Sequence, residues 1–153
     1  MKTKERILIE NYEIIEILKP ERLKEFRLPL FLESVSAGFP SPADDYLDKK
    51  LDLNDLLIKN PAATFFVRVQ GDSMINAGIY SGDILVVDRS LEAKDSSIVI
   101  AVINGELTVK RVSYKNEKLF LTPENGNYKP IAITEEMNFE VWGVVRSVIH
   151  SVI

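Results

Sequence analysis

Few residues of this sequence have the chemistry for nucleophilic hydrolysis. Such a reaction usually pairs a serine or cysteine with a histidine base. The chain has no cysteine, and its one histidine, His150, lies in the C-terminal tail, where a solvated side chain is the ordinary reading. A Ser/Lys pair remains open, because a desolvated lysine can be neutral and act as a base. A free lysine titrates at about 10.4, so neutrality near pH 7 requires roughly 4.6 kcal/mol, which burial can supply.

The candidate serine is Ser73, in Val69-Gln70-Gly71-Asp72-Ser73-Met74. It follows a strong strand pattern and opens a turn through Gly71. That placement exposes a hydroxyl at a strand end, beside backbone N–H groups free to bind an oxyanion. Gly-Asp-Ser also reads simply as a turn or helix cap. The candidate lysine is Lys110, in Leu107-Thr108-Val109-Lys110-Arg111-Val112. Strand alternation puts Thr108, Lys110 and Val112 on one face, so Lys110 can lie on an apolar surface. A solvent-facing strand lysine fits the same alternation.

The elements that must position these groups are mostly strands. Thr64 to Gln70, Ile84 to Asp88, Ser97 to Ile103, Glu106 to Tyr114, Lys118 to Leu121 and Phe139 to Ile149 read as β, with Asn104-Gly105 a hairpin turn. Asp52 is the expected N-cap of a short helix ending before Pro61. Ile7 to Leu18 fits neither helical nor strand period and is left as an added strand or a short helix. Glu33 to Pro42, with small residues and two prolines, reads as an extended connector and marks the boundary.

Composition narrows the setting. The chain has 153 residues, 46% hydrophobic and 27% charged, enough for one domain with an appendage. Glu10, Glu13 and Glu16 interrupt any signal-peptide pattern, and Ile98 to Ile103 is too short to cross a bilayer. A cytoplasmic protein without membrane association is expected. The net charge is −4, and residues 1–37 carry seven basic and seven acidic side chains. Direct, sequence-specific DNA binding is not expected, because no basic surface is available on that scale. No metal site or cofactor is expected.

Several of these segments together resemble a known family. Gly71-Asp72-Ser73-Met74 with Gly78-Ile79 and Ser81-Gly82-Asp83 is similar to the serine segment of the LexA/UmuD family (peptidase family S24), and Thr108-Val109-Lys110-Arg111 to its lysine segment. Ser73 and Lys110 are 37 positions apart, the family's gap. Ala37-Gly38 matches the family's self-cleavage dipeptide, and Leu121 to Asn125 and Tyr128 to Ile131 resemble later landmarks. Gly38 to Ala43 and Asp52-Leu53-Asn54 are similar to the UmuD-type branch.

The resemblance implies a compact, mostly β catalytic domain with short helices over residues 38–153, also the dimerisation domain, preceded by a mobile arm, residues 1–37, that self-cleavage removes. It implies Ser73 as nucleophile, Lys110 as base, the N–H groups of Asp72 and Ser73 as oxyanion hole, and Ala37-Gly38 as the bond cut. The partners it implies are a second copy of the chain, the RecA filament on single-stranded DNA, and a UmuC-type Y-family polymerase engaged in translesion synthesis during the SOS response. A LexA-like self-cleaving repressor is the alternative. The short, electroneutral segment before Gly38 weighs against it. The stretch Met1 to Leu18 precedes the part that resembles the UmuD-type branch, and the resemblance gives it no role.

Overall fold

A computed structural model describes residues 6–8, 13–19, 27–31 and 47–153. The strands in chain order begin with β1 (Arg6–Leu8), β2 (Ile14–Leu18), β3 (Arg27–Phe31) and β4 (Leu47–Asp52). A five-residue helix, α1 (Leu53–Leu57), follows. Then come β5 (Thr64–Val69), β6 (Ile84–Asp88), β7 (Ile98–Ile103), β8 (Glu106–Lys115), β9 (Lys118–Thr122), β10 (Ile131–Ala132) and β11 (Phe139–Ile149). The expected strands from Thr64 onward are present, and β3, β4 and β10 are additional. The chain is mostly β with short helices, as expected.

Two compact units divide the chain. Residues 22–59 form one of them. There β3 and β4 pair antiparallel, and the Asp52 carboxylate caps α1 by accepting from the Asn54 N–H at 2.9 Å. The second unit joins residues 1–21 to residues 60–153. Among the described residues it holds one antiparallel sheet of nine strands, ordered β1-β2-β5-β6-β11-β7-β8-β9-β10. Within Ile7 to Leu18, residues 7–8 and 14–18 are strand, with β2 hydrogen-bonded to β5.

Burial explains the sequence pattern of this sheet. Ile14, Phe65, Val67, Val69, Met74, Leu85, Val87, Ile100 and Val109 pack together in one core. Val99, Ala101, Val112 and Leu121 form a second. Neighbouring residues of β7 thus enter different cores, which is why Ile98 to Ile103 is apolar throughout instead of alternating. Asn104 and Gly105 take φ values of 49° and 85°, the two positive angles that a two-residue hairpin turn requires. That turn fixes the register of β7 and β8, with Val99 opposite Lys110. The connector from Glu33 to Pro42, including Ala37 and Gly38, lies outside the described residues.

Candidate active site

Ser73 stands on the loop that leaves β5. Gly71, at φ 92°, turns the chain there, a conformation that glycine adopts without strain. The loop is held at both ends. The Gly71 N–H donates to Ser81 Oγ at 3.2 Å and the Gly82 N–H to the Val69 carbonyl at 2.8 Å. Beyond the serine, Met74 is buried and a 3₁₀ turn, Ile75–Ala77, closes the loop. Ser73 itself is 6% exposed.

Lys110 reaches this serine from β8. Val99, its cross-strand neighbour, and Val112, two residues along, are both buried, and Lys110 is only 6% exposed. Its ammonium nitrogen lies 3.4 Å from Ser73 Oγ. The structure therefore brings the two candidate residues together, and Lys110 occupies the apolar setting rather than the solvent-facing one. Three other oxygens are closer to Nζ: Thr108 Oγ1 at 2.7 Å, Glu13 Oε2 at 2.8 Å and the Val109 carbonyl at 2.9 Å.

Residues just after β9, tied to β8 through Arg111, brace the serine loop from a second direction. Arg111 pairs through Nε with Glu124 and donates from its guanidinium to the Ser96 carbonyl at 2.7 Å. The Glu124 N–H donates to the Ser73 carbonyl at 2.8 Å, and the Glu124 carbonyl accepts from the Asn76 N–H at 2.9 Å. Asn125 Nδ2 donates to the Asp72 carbonyl at 2.9 Å. The Tyr128 hydroxyl donates to Asp72 Oδ1 at 2.5 Å, and this hydrogen bond pushes the phenol's pKa up. The landmarks Glu124, Asn125 and Tyr128 are thus supports of the Asp72-Ser73 turn. Among the described residues, the N–H groups of Asp72 and Ser73 have no backbone acceptor.

Sequence reasoning missed Glu13 and the role of Thr108. Glu13 lies 97 positions before Lys110, in a segment whose pattern fits no single period, so nothing local marks it. His150 pairs instead with buried Asp83, Nδ1 to Oδ1 at 2.6 Å, with its ring against Tyr80. A cleft of about 500 Å³ opens beside Lys110, lined among others by Glu13, Leu107, Thr108 and Ile131. No described helix is long and apolar enough to cross a membrane.

Comparison with known proteins identifies the family. The family described as Peptidase S24-like matches residues 29–146. Protein SamA of Salmonella typhimurium is 49% identical over 80% of this chain and 84% of its own length. Protein MucA of Escherichia coli is 43% identical over 82% of this chain and 84% of its own. A LexA repressor of Stenotrophomonas maltophilia is 39% identical, over 77% of this chain but 55% of the repressor. With the family match spanning residues 29–146, the chain belongs to the Peptidase S24-like family, in its UmuD-type branch.

Proposed function

We propose that the chain is a serine endopeptidase that cuts its own Ala37-Gly38 bond with a Ser73/Lys110 dyad. The observation that carries this reading is the buried approach of Lys110 Nζ to Ser73 Oγ at 3.4 Å. In the reaction Ser73 Oγ attacks the Ala37 carbonyl carbon while neutral Lys110 takes the hydroxyl proton. The N–H groups of Asp72 and Ser73 hold the oxyanion. Collapse breaks the bond to Gly38, whose amine leaves with the proton returned by Lys110. Water then hydrolyses the Ala37 ester. Small side chains at Ala37 and Gly38 suit the close approach of an extended arm to the nucleophile.

The trimmed chain, from Gly38 onward, acts in this reading as a dimeric accessory subunit of a UmuC-type Y-family translesion polymerase in the SOS response. The RecA filament on single-stranded DNA raises the cleavage rate by favouring the docked arm, a population shift. Membership of the UmuD-type branch supports both statements.

The test is incubation of the full chain with RecA, single-stranded DNA and nucleotide, read by intact mass. A product beginning at Gly38 is expected. Ser73→Ala is expected to give none while remaining folded by circular dichroism. Lys110→Arg should also give none, even at alkaline pH, because a guanidinium stays protonated. Normal fragment yield from either variant would remove that residue from the mechanism.

A further inference from the structure

A base must be neutral before it can take a proton, yet Lys110 faces a carboxylate. Glu13 Oε2 is 2.8 Å from Nζ, and the two side chains are 20% and 8% exposed, so solvent screens the pair weakly. The other carboxylate oxygen, Oε1, accepts from the Val109 N–H at 3.0 Å, and the Glu13 carbonyl accepts from the Gln70 N–H at 2.7 Å. Glu13 therefore bridges the end of β5 and the middle of β8, held by its backbone and both carboxylate oxygens. An ammonium has three N–H donors. The three nearest acceptors are Thr108, Glu13 and Val109, and Ser73 is the farthest of the four contacts.

From this arrangement we infer that Glu13 is a latch on the dyad: it holds Lys110 in the charged, non-basic form and restrains self-cleavage until the start of β2 withdraws. The inference rests on the reading of Ser73 and Lys110 as nucleophile and base. The opposite role, a carboxylate assisting the base as in a Ser-His-Asp triad, fails on magnitude. Histidine titrates near about 6.5 and stays usable as a base beside a carboxylate, whereas lysine starts at about 10.4 and has to lose its charge first. A carboxylate at hydrogen-bond distance favours the wrong form of a lysine. Glu13 precedes Ala37, so the latch leaves with the arm that cleavage releases.

Two readouts on the full chain near neutral pH test the latch. The first is the rate of fragment formation without RecA, for wild type, Glu13→Gln and Glu13→Ala. Glu13→Gln keeps the side-chain volume and the backbone bond to Gln70. The second is the rate of Lys110 acetylation by trace acetic anhydride, followed by peptide mapping in a Ser73→Ala background that keeps the chain intact. Only the neutral amine reacts. Both Glu13 variants are expected to cleave faster by about tenfold or more, as loss of one charge-assisted hydrogen bond would bring, with a matching rise in acetylation. Faster acetylation with no fragment from any chain, even after RecA and single-stranded DNA are added, would keep the hold of Glu13 on the Lys110 charge but overturn self-cleavage, leaving the latch nothing to restrain. Unchanged acetylation with an unchanged or slower cleavage rate would overturn the latch and leave the dyad standing.

Discussion

Two buried ionisable groups in this fold are held in opposite ways, and the contrast explains their uses. Lys110 is surrounded by acceptors that belong to three separate residues, so its environment changes when any one of them moves. Asp88 is fully buried and held mainly by Ser90, two residues along. Its carboxylate accepts from the Ser90 hydroxyl at 2.5 Å, the Ser90 N–H at 2.8 Å and Arg146 at 3.3 Å. Burial pushes this carboxyl up, but the hydrogen bonds outweigh it and hold the group below the usual carboxylate range. A depressed folded value means that the stabilisation is present above the unfolded pKa of about 3.9 and is lost as pH falls through the folded value. Ser90→Ala is therefore expected to cost about 1–2 kcal/mol near neutral pH, with the difference shrinking once Asp88 is protonated. Urea unfolding of both proteins at neutral and strongly acidic pH measures this. An equal loss at both would assign the serine's effect to packing alone.

At the scale of elements, the central strand β11 shows how closely backbones approach in this sheet. It pairs with β6 on one side and β7 on the other, with a register shift between Val141 and Gly143. A Cβ on Gly143 would lie 2.7 Å from Val87 Cγ1 and 3.1 Å from the Asp88 carbonyl oxygen. Val87 is fully buried and has no room to retreat. Gly143→Ala is expected to destabilise the chain by about 1–3 kcal/mol in urea unfolding. Gly126→Ala, where nothing lies within 4 Å of the added carbon, serves as the comparison and should be near neutral. A neutral Gly143→Ala would mean that the strands part more easily than this packing implies.

The same elements show what was legible in the sequence. The strands β5, β6, β7, β8 and β11 are rich in branched residues, and glycines mark the β5–β6 and β7–β8 connections, so local pattern and tertiary structure agree. The two-residue β10 and the turn at Asn116-Glu117 were not legible. Both residues of that turn take positive φ, at 51° and 63°, without the glycine that announces such a turn at Gly105. The Ser73/Lys110 pairing came from motif resemblance, since alternation alone fits an exposed lysine equally well. Glu13 had no signal at all, because its meaning lies entirely in a contact made across the fold.

The whole molecule is reorganised by the cleavage proposed for it. Removing residues 1–37 takes β1 and β2 from the nine-stranded sheet and β3 from its pairing with β4. Strand β5 then becomes an edge, with backbone groups formerly bonded to β2 left open along Phe66 to Val69. Ile14 also leaves the core that it shares with Val67 and Val69. An unpaired edge beside newly uncovered apolar side chains is a ready template for another chain. Strand β11 is paired on both sides, so the Phe139 to Ile149 segment can join an interface only through a face or an end, not by strand addition. The Gly38–Ile153 product is accordingly expected to be a stable dimer. Sedimentation equilibrium at micromolar concentration tests this on the fragment released by self-cleavage, beside the intact Ser73→Ala chain. Hydrogen exchange then locates the change. Amides of β5 that lose β2 should exchange faster in a monomeric product, and remain protected if the partner copy covers that edge. A strictly monomeric fragment would refute the dimer. A dimer whose β5 amides exchange freely would keep the assembly but move its interface elsewhere on the sheet.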